Sequence, residues 1–346
     1  MTLADKMAAD LRGGIIKGDY AVGDILPTIA ELAANYGVSA NVPRRALGKL
    51  QEEGLVRPRR GVGSVVIDKG ADLDCLGRVL CFGPFISGGP YFGNLVESLR
   101  SRLIRNRARL EIVNDPGGEL KSRYAELQEM LKRRWELVLF WDDARARHLI
   151  ASSGSPFVII GDHPHSLPEE PGFRGVVDIR NTRAVGELVR ACVRAGVRRI
   201  LRFSLVSERY DAAEYFRTAE IELKTVKIAT APDAEGNIRA GMKAMNAVLA
   251  SGRQLPDLIY FTEDFPAQGA LMALAAAGVK IPEMVRFVSL SNKGIGPVWI
   301  KPLARLESDP FSQGAEIAKA VIEFLKHGEF PSPLELGTEW KSGESF

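Results

Sequence analysis

The chain has 346 residues, of which 46% are hydrophobic and 26% charged, and its formal net charge is +3. This length predicts two or three domains, and the composition is that of an ordinary globular protein, which excludes a collagen-like or largely disordered chain. The longest apolar runs, residues 156–161 and 271–279, are far shorter than the roughly 18–20 residues that a membrane-spanning helix needs.

The first ten residues contain Asp5 and Asp10 and have no basic start followed by an apolar run. We therefore expect no signal peptide and a cytoplasmic protein without membrane contacts. An apolar residue at every fourth position predicts an amphipathic helix that ends near Gly18. The apolar face of this helix comprises Leu3, Met7, Leu11 and Ile15.

Two further helices are predicted on either side of a short turn at Gly37. The first begins at Thr28, because Glu31 three residues later completes a capping box. The second has Ser39 as its predicted N-cap and an apolar face that comprises Ala46, Leu47 and Leu50. Two helices joined by a short turn that contains glycine form a helix-turn-helix arrangement.

Basic residues are concentrated in and after the last of these helices. Residues 43–61 contain six Lys or Arg and two Glu, a local charge of +4, and the basic residues are Arg44, Arg45, Lys49, Arg57, Arg59 and Arg60. A helical wheel places Asn41 and Arg44 opposite the apolar face, with Arg45 beside them. Residues 55–66 predict a hairpin with a glycine-rich, arginine-rich tip, or wing. Such a patch is either a solvated surface or a nucleic-acid contact, and its position on the exposed face favours DNA.

The chain changes character after a polar, aperiodic segment at residues 68–77, which we interpret as a linker. Strand-like apolar runs then alternate with helical patterns, which predicts parallel sheets covered by helices on both faces. Ligands bind such sheets beyond the carboxyl ends of the strands. The predicted strands span residues 79–82, 110–113, 137–141, 157–160, 176–177, 200–203, 225–229, 258–261 and 287–290.

The N-terminal segments 16–20, 23–28, 31–33, 37–39, 44–47, 53–56 and 61–64 together resemble the GntR-type winged helix. In that family the second and third helices and the wing bind an operator, so the resemblance assigns Thr28, Ser39, Arg44 and Gly63 to the DNA contact surface. The chain departs from the family pattern at Ala30, Ala40 and Pro43. We therefore expect Asn41 and Arg44 to read bases, and expect phosphate contacts from Arg45, Lys49, Arg59 and Arg60.

The remainder of the chain is similar to the LacI/GalR-type sensor, which has the bilobed fold of periplasmic sugar-binding proteins. The segments that carry this resemblance are 90–92, 156–160, 262–270, 277–283 and 302–306, together with Asp178. A GntR-type head joined to such a sensor is similar to the arabinose-repressor type of regulator.

The two resemblances together imply an α/β chain in which a winged helix-turn-helix precedes a bilobed, doubly wound, parallel-sheet sensor. We place the DNA-binding domain at 1–67, the linker at 68–77 and the sensor at 78–346. Lobe 1 is expected at 78–178 and 294–330, and lobe 2 at 179–293 and 331–346.

The resemblance places an effector in the cleft between the lobes. Tyr91 and Phe92 then contact the ligand or only pack the start of a helix, and Asp178 is a polar contact. Trp141 and Trp299 either stack on a sugar or belong to the core. Asp264 is either a retained polar contact or a helix N-cap.

The rest of the expected pocket departs from the family pattern. Alignment with the family places Asp211 where the family has an Arg, Glu263 where it has an Asn, and Ser291 where it has an Asp. Such a pocket is expected to repel anions and to favour polyhydroxyl or cationic ligands.

An enzyme is the main alternative class, and three patterns argue against it. The histidines of residues 162–165 have no distant pair with metal-ligand spacing, no phosphate-loop or nucleophile-elbow motif occurs, and the three cysteines lack CxxC spacing. We expect neither catalysis nor a metal or cofactor.

The prediction is a ligand-responsive transcription regulator, a homodimeric repressor that binds a double-stranded DNA operator and senses a sugar or polyol. The alternative is a sugar- or polyol-binding module with a vestigial DNA-binding head and no ligand-controlled regulation.

Overall fold

The structure, a computed structural model, describes residues 2–59, 62–67, 75–84, 89–115, 124–161, 169–205, 213–231 and 233–346. Two predicted site residues, Arg60 and Asp211, lie outside the described residues, as do the predicted linker segment 68–74 and the His-containing segment 162–168. No helix within the described ranges is both long and apolar enough to cross a bilayer.

The N-terminal domain is a winged helix-turn-helix, as predicted. Its helices are α1 (Leu3–Lys17), α2 (Ile29–Tyr36) and α3 (Asn41–Glu52), and its wing is the antiparallel hairpin of β1 (Val56–Arg59) and β2 (Gly63–Val66). One apolar core joins all of them and includes Met7, Leu11, Leu32, Leu50 and Val66.

The two predicted helix starts in this domain have different outcomes. Thr28 is the N-cap of α2, and its hydroxyl and the Glu31 carboxylate form the predicted capping box. The predicted cap at Ser39 is wrong, because Ala40 occupies the N-cap of α3 and offers no side-chain bond. Ala40 already has helical dihedral angles, φ −55° and ψ −17°, so the first turn closes through a backbone bond of 3.0 Å from Val42 N to the Ser39 carbonyl.

The remainder of the chain alternates strands and helices. In chain order these are β3 (Gly77–Gly83), α4 (Gly89–Arg105), β4 (Ala108–Asn114), α5 (Ala125–Met130), β5 (Leu137–Trp141), α6 (Ala144–Ser152), β6 (Phe157–Gly161), β7 (Phe173–Asp178), α7 (Thr182–Arg194), β8 (Arg199–Leu205), α8 (Ala213–Thr218), β9 (Glu222–Ile228), α9 (Ala234–Ala250), β10 (Leu258–Phe261), α10 (Asp264–Ala276), β11 (Arg286–Asn292), β12 (Ala304–Ser308), α11 (Pro310–His327), β13 (Leu334–Glu335) and β14 (Thr338–Lys341).

These elements form two α/β lobes, each built on a six-stranded sheet. The sheet of the first lobe has the strand order β13-β7-β6-β5-β3-β4, and that of the second lobe has the order β14-β12-β11-β10-β8-β9. All neighbouring strands in these sheets are parallel except β12 and β14. Helices α4 and α11 cover one face of the first sheet and α5 and α6 the other, which confirms the predicted fold class.

The chain crosses between the lobes three times. The first crossing follows Asp178, as expected, but the second and third do not fall where we expected them. Strand β12 belongs to the second sheet, because it pairs in parallel with β11, although the expected lobe 1 included 294–330. Strand β13 belongs to the first sheet through its pairing with β7, although the expected lobe 2 included 331–346. The crossings therefore lie between β7 and α7, between β12 and α11, and between β13 and β14.

Helices α9 and α10 pack against each other without intervening side chains. A Cβ atom built on Gly269 would lie 1.9 Å from the Ile238 carbonyl oxygen, and one built on Gly241 would lie 2.0 Å from the Pro266 carbonyl oxygen. Glycine is required at both positions because any side chain would force the two helices apart. This close packing sets the position of α10, whose N-terminal end belongs to the candidate effector site.

Candidate DNA interface and effector site

Helix α3 divides into a buried apolar face and an exposed polar face. Asn41, Arg44 and Arg45 are exposed, whereas Pro43 and Leu50 are buried. Arg44 Nη1 donates to Asn41 Oδ1 over 3.1 Å, so the two side chains predicted to read bases lie together. Pro43 lies in the first turn, where a missing N–H costs little. The helix continues unbroken past this departure from the family pattern.

Lys49 has a partner inside the domain that the sequence did not reveal. It is half-buried, and its ammonium group forms an ion pair with the carboxylate of Asp5 on α1. The hydrogen bond from Lys49, followed by the bond from the Thr2 backbone, holds the pKa of Asp5 well below its usual range. Lys49 therefore joins α1 to α3, and any phosphate contact has to compete with this pair.

The remaining predicted DNA contacts lie at the wing and at the start of α2. Arg59 is opposite Gly63 in the hairpin, and its Nη1 lies 3.8 Å from Glu136 Oε1 in the first lobe. Gly63 has φ +122°, so it gives the wing its shape by adopting a conformation that favours glycine. Thr28 and Ser39 are exposed, and the Thr28 hydroxyl already accepts from Glu31 N over 3.2 Å.

Three predicted effector contacts form one aromatic cluster where the first sheet ends. Tyr91 and Phe92 lie in the first turn of α4, and Trp141 is the last residue of β5. The ring centroids of Tyr91 and Phe92 are 5.1 Å apart, and those of Phe92 and Trp141 are 5.0 Å apart. All three side chains are half-buried, so this aromatic cluster offers apolar ring surface at the sheet edge where ligands bind in this class of fold.

Tyr91 also has a polar partner. Its hydroxyl donates to Gln313 Oε1 on α11 over 2.8 Å, and burial raises the pKa of the phenol. The hydroxyl thus carries a proton at any physiological pH and acts as the donor in this bond.

Two carboxylates at the carboxyl ends of first-lobe strands are each paired with an arginine. Asp178 is the last residue of β7 and is buried. Its Oδ2 accepts hydrogen bonds from Arg180 Nε over 2.9 Å and from Arg180 Nη2 over 2.5 Å. Asp142 follows β5 and accepts from Arg147 Nη2 over 2.6 Å. Asp178, which was expected to be a polar contact, is therefore one half of an ion pair with Arg180.

The second-lobe candidates that the structure describes include residues at the start of α10 and near the end of β11. Glu263 is exposed at the N-cap of α10, and Ser291 is buried with its hydroxyl 3.0 Å from that of Ser289. Trp299, which we allowed either to stack on a sugar or to pack, is partly buried against the apolar core of this lobe.

Asp264 is not a helix N-cap, because that position belongs to Glu263. Its buried carboxylate instead accepts from Asn292 N over 3.1 Å and from Asn292 Nδ2 over 2.5 Å. Burial outweighs these bonds and raises the pKa of Asp264 to about 7. Asp264 therefore ties the start of α10 to the end of β11.

Gln313, Arg180 and Asn292 are the polar partners that the sequence analysis missed. Gln313 is separated from Tyr91 by more than two hundred residues, and no spacing rule connects them. Arg180 follows Asp178 by two residues, a spacing that allows contact but does not require it.

Two family descriptions match the chain. Residues 3–66 match the model of the bacterial regulatory proteins of the gntR family, and residues 189–346 match that of the periplasmic binding protein-like domain. The chain thus joins a gntR-family DNA-binding domain to a periplasmic-binding-protein-like domain, as the sequence resemblances predict.

Curated relatives match over short segments. The Exu regulon transcriptional regulator of Escherichia coli K12 is 42% identical over 65 residues, which is 19% of this chain and 25% of that protein. The Uxu operon regulator of Haemophilus influenzae is 39% identical over 57 residues, which is 16% of this chain and 21% of that protein. The matched region spans about a quarter of each relative.

Solved structures of regulators share the two-lobed fold. The cellobiose complex of the transcriptional regulator CelR has a TM-score of 0.62 at 18% identity and covers 93% of this chain and 100% of its own. A LacI family regulator from Silicibacter pomeroyi has a TM-score of 0.58 at 20% identity, with coverage of 78% and 99%. A LacI family regulator from Arthrobacter sp. FB24 in complex with lactose has a TM-score of 0.59 at 17% identity, with coverage of 78% and 98%.

Proposed function

We propose that this chain is a transcription regulator, a repressor that binds operator DNA through α3 and its wing and releases it when a sugar or polyol occupies the sensor. The observation that carries the proposal is the exposed Asn41–Arg44 pair on an unbroken α3, in a chain whose other domain has a ligand-binding fold. An unbroken helix argues against a vestigial head, because Pro43 was the departure most able to distort it.

The DNA-binding part of the proposal is tested with a site selected from random sequences. Arg44→Ala should cost about 1–3 kcal/mol on the selected site and much less on random DNA, because a base reader contributes only where its base is present. The matched control is Arg239→Ala, which removes an exposed arginine on α9 that also bonds a neighbour on its own helix. An equal loss on both DNAs would exclude Arg44 from base readout.

The aromatic cluster supports a sugar or polyol as the effector. A sugar has an apolar face that can stack on Phe92 or Trp141 and hydroxyls that can bond to the Asp178–Arg180 pair. Proteins of the same fold have structures in complex with cellobiose and with lactose, which supports the same ligand class for this chain.

A thermal-shift screen of cellobiose, lactose, other sugars, polyols and amines tests this class, since a ligand of the folded state raises its melting temperature. Phe92→Ala should abolish the shift, whereas Phe311→Ala, which removes an exposed phenylalanine on α11, should keep it. Glu263→Gln then separates the ligand types in calorimetry. A polyol should lose less than about tenfold in affinity, and a cationic ligand should lose most of its affinity.

We further propose that the regulator is a homodimer. One surface of the second lobe exposes Val298 (78%) and Ile300 (87%), with Met272 and Met284 also exposed. Val298 N donates to Gln268 Oε1 over 2.7 Å, which places this segment one turn from Met272 on α10. A patch of this kind favours a protein partner, and a second copy of the chain would supply the two heads that a palindromic operator requires.

A further inference from the structure

All three crossings between the lobes are tied together by one hydroxyl group. Thr338, at the start of β14, donates from Oγ1 to Asn181 Oδ1 over 3.0 Å, and the same oxygen lies 3.0 Å from Ser308 Oγ. Asn181 precedes α7, and Ser308 ends β12. Since a hydroxyl donates one proton and accepts others, Thr338 donates to Asn181 and accepts from Ser308. Thr338 and Ser308 are both buried.

A second link joins the third crossing to the first. Leu336 N donates to the carbonyl oxygen of Asp178 over 2.9 Å. Residues 336–338 are therefore held to both other crossings, and a displacement of this segment changes bonds in each of them.

Gln313 connects this segment to the aromatic cluster. Its side chain is only 4% exposed, and its Nε2 donates to the Gly337 carbonyl over 3.0 Å. A carbonyl only accepts, so the amide nitrogen must face Gly337 and the amide oxygen must face Tyr91, whose hydroxyl donates over 2.8 Å. Each group in this chain of hydrogen bonds is therefore fixed as either donor or acceptor, and the direction of one bond cannot be reversed without the others.

We propose that the Tyr91–Gln313–Gly337 bonds form a relay that couples the aromatic cluster to the crossings between the lobes, with Gln313 as a positioning residue that need not touch the effector. A ligand that packs on Phe92 and Trp141 shifts Tyr91, because the Tyr91 and Phe92 rings are in edge contact. The movement of Tyr91 lengthens or breaks its hydrogen bond to Gln313. The displaced Gln313 side chain then shifts residues 336–338 through its bond to Gly337. The functional meaning of the relay rests on the proposed effector site, but the coupling itself can be measured without an effector.

The test is hydrogen exchange of the full-length chain, read in peptides that cover residues 334–341 and 178–184. Tyr91→Phe removes one hydroxyl and keeps the ring, and it leaves Gln313 Oε1 buried without its donor. We expect exchange of the Leu336 amide and of the β14 amides to become about 3- to 10-fold faster, as loss of one buried hydrogen bond allows.

Tyr124→Phe is the matched control. Tyr124 is likewise a tyrosine of the first lobe whose hydroxyl donates to a side chain, here Asp143 Oδ1 over 2.8 Å. Asp143 is the N-cap of α6 and not part of a crossing. This variant should accelerate exchange near α6 and leave residues 334–341 unchanged. A general loss of stability would instead affect both regions equally in both variants.

Gln313→Met provides a second variant of similar volume that removes both bonds of the relay. It should give the same local acceleration, and adding Tyr91→Phe to it should cause no further change, because the two side chains act through one path. Unchanged exchange at 334–341 in Tyr91→Phe, or additive effects in the double variant, would overturn the relay. If no effector is found in the screen, faster exchange at 334–341 still supports the coupling. If an effector is found but the exchange is unchanged, the proposed function is supported and the relay is not.

Discussion

Replacing Asp264 by asparagine should change how the stability of the second lobe depends on pH. Burial raises the pKa of Asp264 to about 7 from a reference value of 3.8, so the folded state holds this proton more tightly than the unfolded state does. The tighter binding of this proton stabilises the folded state fully at a pH below the pKa of Asp264 in the unfolded chain, and this stabilisation is lost as the pH rises through about 7. Ionising Asp264 in the folded protein therefore costs stability, although Asn292 donates two hydrogen bonds to it.

The size of the effect follows from the shift in pKa. Roughly three pKa units correspond to about 4 kcal/mol, of which roughly 3 kcal/mol is lost between pH 5 and pH 8. The amide introduced by Asp264→Asn stays neutral and can still accept from Asn292 N. The variant and the wild type should thus have similar stability at pH 5, and at pH 8 the variant should melt about 6–12 °C higher.

Differential scanning calorimetry of both proteins at several pH values between 5 and 8 measures this gap. Asp309→Asn is the control, because the bond from Lys293 lowers the pKa of Asp309 and keeps that carboxylate ionised in both states over this range. The gap between wild type and Asp309→Asn should be constant with pH. A constant gap for Asp264→Asn as well would refute the reasoning, since Asp264 would then not titrate in this window.

Three further predictions concern packing, DNA and assembly. Gly269→Ala should destabilise the second lobe by about 3 kcal/mol or more in urea unfolding, because α9 and α10 must separate, whereas Gly13→Ala in α1, where the added Cβ meets no atom within 4 Å, should be neutral or stabilising. Lys49→Ala should weaken binding to all DNA sequences, and it should also lower the melting temperature of the DNA-binding domain because Asp5 loses its ion-pair partner. An unchanged melting temperature would show that the ion pair does not contribute to stability. Ile300→Asp should produce monomers in sedimentation, and a variant that remains dimeric would place the interface elsewhere.

Most elements of the fold could be predicted because they have a local pattern. All nine predicted strands are present within the observed strands or differ at an end by a single residue. Seven of them are central strands of a parallel sheet, which are typically continuous apolar runs. Strands β12, β13 and β14 were not predicted. Strand β13 has only two residues, and β14 pairs antiparallel at a sheet edge, so neither has a long apolar run, and their lobe assignment depends on pairing that no local pattern records.

The candidate site was less predictable than the fold, because its chemistry depends on partners distant in the chain. The family resemblance offered Tyr91, Phe92 and Trp141 either as ligand contacts or as packing residues, and the structure brings their rings together. The sequence did not reveal that Gln313 holds the Tyr91 hydroxyl or that Asp5 holds Lys49. A helical wheel shows which way a charged side chain faces. It does not show which carboxylate on another helix forms an ion pair with it.

These partners also affect which effector the first lobe can bind. Asp211 and Glu263, in place of a family Arg and Asn, led us to expect a pocket that favours polyhydroxyl or cationic ligands. Among the described residues, Asp178 and Asp142 each carry an arginine, and Asp264 is half protonated near neutral pH. A cationic ligand would have to displace Arg180 from a buried carboxylate, at the cost of breaking the three charge-assisted hydrogen bonds between the two side chains. A polyol can instead donate to the carboxylate and accept from the guanidinium without separating the pair, so the Asp178–Arg180 pair suits a neutral polyhydroxyl ligand better than a cationic one.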